Sequence, residues 1–430
     1  MKPSAVLVVL QILLISCNTT DVPPGGEPVL RLAALDASCT EVWLEVKLAA
    51  GVQPRTLTLQ RDTTTILTTT LTAPETLIVD EGLLPNRQYT YTVTREAGLY
   101  PDRATSTITT MDTTSHNWTF SIDTLGVTAS TLYDVTIIND TLAYAVGEMY
   151  LRDSTGQLDP QAYNMAQWNG VSWQFMRIQF FTICGQSSRT PYPAKSVFAF
   201  GANDVWIAMD GSQMARWNGT AQTATICMSD PFVINKIWGE NPNSIWAVGY
   251  GGRIGHYANG TWQRVESGTT LPIQDVYGAR DNQSGQYEIL CVAEAYGVPG
   301  GSKVLLIENA SARELTTNGL ESWGVEGIWV VPNRQYMVIG QGVWRSASPE
   351  GNWWLDNTLP GVATTSISGQ SLNDITVCGA FWLLATWNGV RWQTYFPRTG
   401  GSFGSVAIKR NMLVAVGDIG NKAVVVRGTR

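Results

Sequence analysis

One phrase recurs seven times in the last three quarters of this chain: a short apolar strand, a turn, and a second apolar strand ending in Gly or another small residue. It reads DVTIINDTLAYAVG at 134–147, SVFAFGANDVWIAM at 196–209, KIWGENPNSIWAVG at 236–249 and DVYGARDNQSGQYEILCVA at 275–293. It continues as GIWVVPNRQYMVIG at 327–340, SISGQSLNDITVCG at 366–379 and SVAIKRNMLVAVG at 405–417. The first apolar positions are Val135, Val197, Ile237, Val276, Ile328, Ile367 and Val406. Four of the six intervals between them are about 40 residues, the length of one blade of a repeat architecture. A chain with this register is built from like units that bury their faces against one another.

The units read as sheets. Segments of four to seven residues rich in Val, Ile, Trp and Tyr are bounded by Asn, Asp and Gly. Third strands follow in MAQWNG (165–170), MARWNG (214–219), GHYANG (255–260) and LATWNG (384–389), and Trp173, Trp262, Trp353 and Trp392 mark fourth strands. Asn-Gly between apolar strands signals a hairpin because both residues accept positive φ. No stretch carries sustained helical periodicity. The last unit lacks a fourth strand after KAVVVRG (422–428), and HNWTFSIDT (116–124), with Trp118, is the candidate to supply it. Such pairing of the beginning with the end closes a ring and removes free sheet edges. The expectation is an all-β chain whose residues 115–430 form a seven-bladed β-propeller with velcro closure; an open solenoid is the alternative.

Residues 29–112 form a separate β unit. GLLPNRQYTYTV (82–93) resembles the fibronectin type III pattern, in which Gly-Leu, Pro and Tyr lead into an alternating strand. The resemblance implies a sandwich in which Tyr89 makes the corner hydrogen bond. Trp43, in CTEVWLEVKL (39–48), stands a few residues early for that fold's core Trp.

The chain opens MKPSAVLVVLQILLISC, one Lys before an apolar run too short to span a bilayer comfortably. Leu14-Ile15-Ser16-Cys17 resembles the lipobox of bacterial lipoproteins, which implies a signal peptide over 1–17, lipid on Cys17 and anchoring without a spanning helix. Residues 18–28, NTTDVPPGGEP, have a tether's composition. Asn18 leans towards the outer membrane of a Gram-negative envelope. Most of the chain resembles Bacteroidetes-type surface lipoproteins that join a fibronectin-like module to AVG/WNG propeller repeats. The repeats also loosely resemble kelch and photosystem-assembly-factor propellers, without the kelch double Gly. The NGTW and NGVRW ends are similar to the Asp-box of sialidase-like propellers but lack its Ser and Asp.

Net charge is −7 with 15% charged residues and no Lys/Arg cluster, which excludes the electrostatic footprint of nucleic-acid binding. The two His lie in no triad or metal pattern; His256 holds a strand slot expected to face solvent. No calcium loop or phosphate loop is present, so neither metal nor cofactor is expected. Cys291 and Cys378 fall in apolar strands as small hydrophobes. Cys184 and Cys227 follow the fourth strands of successive units, where an oxidising compartment permits a disulfide. Of the seventeen Trp, at least two-thirds are expected in the core, because they recur at matched positions.

Long insertions point to function. Residues 148–164 and 294–303 are second-to-third-strand loops, and 179–193 is a unit-to-unit connection; all three belong on one face of a ring. They nominate Tyr150, Arg152, Tyr163, Arg189, Tyr192 and Tyr296 as ligand-binding candidates. The resulting expectation is a non-enzymatic, lipid-anchored envelope protein that binds a protein or glycan on that face. A propeller-fold glycosidase or lyase using acids such as Asp153, Asp159 and Glu294 is one alternative. A scaffold subunit of an envelope complex is another.

Overall fold

The computed structural model describes residues 29–49, 56–96, 102–298, 301–396 and 400–430, with the backbone of Leu7–Val9. Cys17 and the segment 18–28 lie outside the described residues, as does the leader apart from that short strand. The chain divides into two compact units, one ending at Thr114 and joined by 388–390, the other beginning at Ser115.

The first unit is two antiparallel sheets. Leu30–Ala37, Glu41–Leu48 and Glu75–Glu81 pair in one, with Leu7–Val9 on the outer side of Glu75–Glu81. Thr64–Thr70, Thr56–Arg61, Gln88–Arg95 and Asp102–Thr109 form the other. Alternation along the strands sends Val42, Leu44 and Val46 into a shared core with Leu57, Leu59, Tyr91 and Val93. Trp43 is buried but, by the same alternation, lies outside that core cluster. The Tyr89 hydroxyl accepts a hydrogen bond from the Leu84 N–H at 2.9 Å. Asp80 accepts from Arg61 at 3.0 Å and from the Tyr91 hydroxyl at 2.7 Å, so its buried charge is paired.

In the second unit, the described residues form seven four-stranded antiparallel sheets, in chain order within each sheet except the last. The first runs Thr131–Asn139, Leu142–Met149, Tyr163–Trp168, Trp173–Met176. The last runs Ser402–Lys409, Met412–Ile419, Lys422–Thr429 and then Thr119–Thr124, with Val425 opposite Asp123. The first strand of each sheet lies beside the first strand of the next, and Thr131–Asn139 lies beside Ser402–Lys409. The order of neighbours therefore returns to its start, and no sheet is left at an end.

Apolar side chains fill the spaces between successive sheets. Tyr144, Val146 and Met165 of the first sheet pack on Val197, Val205 and Ile207 of the second. Val135 and Ile137 of the first meet Val414, Val416 and Val425 of the last, which closes the core as well as the hydrogen-bonding. Aromatic residues near the axis lie on glycines of the following sheet. Trp238 covers Gly278, and Trp329 covers Gly369, its indole N–H donating to the Gly369 carbonyl at 3.2 Å. A Cβ on either glycine would fall 2.4–2.6 Å from the indole. Among the seventeen Trp only Trp323 and Trp354 are exposed. Trp353 is buried just ahead of the short fourth strand Trp354–Leu355 rather than within it.

His256 departs from expectation. It is half-buried, stacked at 3.9 Å on Trp246, and shares a 2.8 Å hydrogen bond with Ser244. The aromatic neighbour across the strand pair draws the imidazole off the solvent.

Candidate functional site

The site begins with an irregularity that every sheet of the second unit repeats. Pairing between the first and second strands shifts by one residue at the same place in all seven, leaving Tyr133, Lys195, Asn235, Gln274, Glu326, Thr365 and Gly404 as bulge residues. A bulge breaks the two-residue alternation of a strand and re-aims a side chain. All seven bulge residues line one central cavity of about 460 Å³. Asp134, Lys236, Asp275, Ser366 and Ser405, each one residue further along its strand, line it too.

Residues at this second position, Ser196 included although it does not line the cavity, form a hydrogen-bonded belt across the sheets. Asp134 accepts from the Val197 N–H at 2.9 Å, Ser196 Oγ from the Ile237 N–H at 3.2 Å, and Asp275 from the Ile328 N–H at 3.0 Å. Ser366 Oγ accepts from the Val406 N–H at 3.2 Å. Each side chain thus satisfies a backbone donor in the next sheet. Asp134 is the hub: it also accepts from Lys236 Nζ at 2.7 Å and from the hydroxyls of Ser196 and Ser405 at 2.8 Å. Burial alone would lower the Lys236 ammonium, but the carboxylates of Asp134 and Asp275 hold it above its usual range. Burial pushes the Asp275 carboxyl up to about 6, with Lys236 opposing the rise.

The bulge residues above the belt are less satisfied. Burial and the neighbouring Glu294 push the Glu326 carboxyl up to about 7, with Lys195 pulling the other way. No hydrogen bond reaches that carboxylate from any described residue. The Lys195 ammonium stands 4.5 Å from the Tyr133 ring centre. Gln274 donates to Glu294, and Asn235 donates to the Gln274 side-chain carbonyl at 3.2 Å.

The loops around this mouth follow from the strand order. Bulges sit where a first strand begins and a second strand ends, so the second-to-third loops and the sheet-to-sheet connections emerge at the same end. Those segments carry the exposed aromatics Tyr250 (57% exposed), Tyr296 (85%), Trp323 (54%) and Phe381 (58%). Tyr250 lines the cavity itself. Glu294 and Tyr296 both close on Gly324, beside Trp323, and the Gly297 N–H donates to the Trp323 carbonyl at 2.8 Å.

None of the six candidates named from sequence lines the cavity. Tyr296 comes nearest, through Glu294 and Gly324. Tyr150 donates its hydroxyl to Glu148 at 2.6 Å. Arg152 donates to the Gly156 carbonyl at 2.8 Å. Tyr163 lies under the Arg177 guanidinium at 3.8 Å and donates to Asp159. Tyr192 packs on the core between the first two sheets and its carbonyl accepts from Asn164 at 2.8 Å. Arg189 lies over Phe181 at 4.2 Å and donates to Thr225 at 2.7 Å. Its hairpin is tied down by a disulfide between Cys184 and Cys227, whose Cα atoms are 6.2 Å apart. Of the acids named for hydrolysis, Asp153 and Asp159 fold their own loop, accepting from Thr155, Gln157 and Gln161, while Glu294 stands at the mouth. Among the described residues no group of His, Cys, Asp and Glu is arranged to hold a metal ion.

The repeat phrase begins one residue after each bulge, so the bulge residues fall outside it. The signal was the small or charged residue opening each phrase, in DV, SV, KI, DV, GI, SI and SV.

No protein-family model matches the chain, and no curated protein matches it. Solved structures do. One, of YCF48 bound to D1 peptide, is 16% identical with a TM-score of 0.50, over 72% of this chain and 97% of that one. The WD40 β-propeller domain of Doa1 is 13% identical with a TM-score of 0.51, over 72% of this chain and 95% of that one. At such identities the likeness speaks to architecture alone. The chain carries a β-propeller.

Proposed function

We propose that this protein is a non-enzymatic receptor that holds a polypeptide segment at the central mouth of a seven-bladed propeller. One observation carries the reading. Seven sheets share one backbone irregularity, yet their bulge positions hold seven different residues: Tyr, Lys, Asn, Gln, Glu, Thr and Gly. Backbone geometry common to all seven does not require that diversity, so the side chains are free to serve a ligand. Exposed aromatics ringing the same end supply apolar contact at low entropic cost. The solved likeness that carries a D1 peptide supports a peptide as the ligand of such a fold.

The leader over 1–17 directs export, and lipid on Cys17 anchors the chain in the outer membrane of a Gram-negative envelope. The unit over 29–112 is a fibronectin type III-like spacer, a reading supported by its two-sheet order and the Tyr89 corner. Metabolic labelling with palmitate tests the anchor: Cys17→Ser abolishes the label, and a label that persists rejects it.

The mouth is tested with random heptapeptides on beads, scored for capture of the full chain. Replacing Tyr250, Tyr296 and Trp323 together by Ser removes capture, and the melting curve stays put because all three are exposed. Undiminished capture by the triple variant rejects the site.

A further inference from the structure

The mouth's charges point to a particular kind of segment. We infer that the cavity receives a protonated amine or guanidinium, the side chain of a Lys or Arg on the bound polypeptide. This deepens the receptor reading and rests on it.

The charged groups around the cavity differ in whether they are already matched. Lys236 is held by Asp134 at 2.7 Å, deep in the cavity. Asp275 spends its oxygens on the N–H groups of Val276 and Ile328. At the rim stand Lys195, Glu294 and Glu326. Lys195 lies over Tyr133. Glu294 accepts from Gln274, and Glu326 accepts from no described residue. With the carboxyls ionised, the four acids Asp134, Asp275, Glu294 and Glu326 face three ammonium groups around the cavity and its rim, Lys195, Lys236 and, at the opposite end of its strand from the bulge, Lys409. Glu326 is the one carboxylate of the four that accepts no hydrogen bond from a described residue.

A half-buried carboxylate without a donor is costly to keep. It is suited to a ligand that brings N–H donors and positive charge. The walls suit the same ligand. Tyr133 and Tyr250 line the cavity, and Tyr296 stands beside Glu294. Aromatic faces attract a cation, and a carboxylate among them fixes its position. An incoming cation would meet two carboxylates, Glu326 and Glu294, against the one ammonium of Lys195 at the entrance before it reached Lys236.

The other large recess, about 760 Å³ around Gly251, Gly252 and Thr269, offers the contrast. Its cations already have partners: Arg253 with Asp230, Arg264 with Asp230 and Glu266, Lys303 with Glu314. No cation there is left without a carboxylate partner.

The test uses the full chain at pH 8 on three bead sets of heptapeptides with identical random flanks. The central residue is Lys in the first, Nε-acetyl-lysine in the second and Glu in the third. The inference expects capture by the Lys set, at least about tenfold weaker for the acetylated set, and weakest for the Glu set, as loss of a charge-assisted hydrogen bond implies. Glu326→Gln should erase the difference between Lys and acetyl-lysine. Glu294→Gln should reduce it. Glu308→Gln, at the far end of its strand, should leave it intact. Equal capture of the Lys and acetylated sets, or preference for Glu, overturns the cation while leaving the receptor reading standing. Capture by none of the sets overturns both.

Discussion

Asp134 shows how much one residue can carry near an axis of repeats. It is buried, and it collects the Lys236 ammonium, the hydroxyls of Ser196 and Ser405, and the Val197 N–H, joining four sheets. Asp134→Ala strands Lys236 and three further donors, and chemical denaturation should show a loss of about 3–5 kcal/mol. A loss under 1 kcal/mol would mean that water replaces the belt. Glu326 should behave in the opposite way. Its carboxyl lies near 7 in the folded chain against an ordinary 4.5, so the fold favours the protonated form. Stability therefore declines as pH rises from about 4.5 through 7, where the unfolded chain gives up this proton first. Glu326→Gln removes that decline. Its melting temperature should match the parent below pH 4.5 and exceed it by about 2 °C at pH 8. Lys195, Glu294 and Asp275 are the charged groups that act on it. A variant that is less stable than its parent at pH 8 would show that the carboxylate is paired in solution.

At the scale of the element, the recurring AVG has a steric cause. In the third sheet, a Cβ on Gly249 would fall 1.9 Å from the Val233 carbonyl; on Gly147, 2.2 Å from that of Thr131; on Gly417, 2.1 Å from that of Ser402. Each glycine lies at or within two residues of the end of a second strand, opposite the residue before the bulge, where the kinked first strand presses close. The motif that made the repeat visible is thus the imprint of the bulge that builds the mouth. Gly249→Ala should cost about 1–3 kcal/mol and perturb the third sheet, since the obstacle is backbone. Gly201→Ala, with nothing within 4 Å, should change stability by no more than about 0.5 kcal/mol. Strand existence was legible because β-branched and aromatic runs punctuated by Asn, Asp and Gly have few other meanings. Bulge placement was not, because a one-residue register shift leaves composition unchanged. The loop candidates failed to converge on the cavity for a related reason. Tyr150, Tyr163 and Arg189 have partners within a few residues or across a strand pair, and such local satisfaction is invisible until the loop is folded.

For the whole molecule, closure is the property on which the rest depends. Thr119–Thr124 lies some three hundred residues from its partner strand, Lys422–Thr429, yet the pairing was readable because the last repeat lacked a strand and the first was preceded by one. Hydrogen exchange checks it: the amides of 119–124 that face Lys422–Thr429 should exchange far more slowly than loop amides, while those on the outer edge of the strand stay fast. Loop-like exchange in 119–124 alone would mean the ring stands open. Closure also sets the stoichiometry, because one mouth admits one segment however many sheets surround it.

The most direct measurement is a crystal structure of the full chain with the lysine heptapeptide that the bead test captures best. The account predicts the peptide across the bulge-lined mouth, between Tyr250 and Tyr296, with its Nζ about 3 Å from the Glu326 carboxylate. A peptide lodged instead on the 148–164 loop or along an outer strand, with the mouth filled only by water, would contradict it.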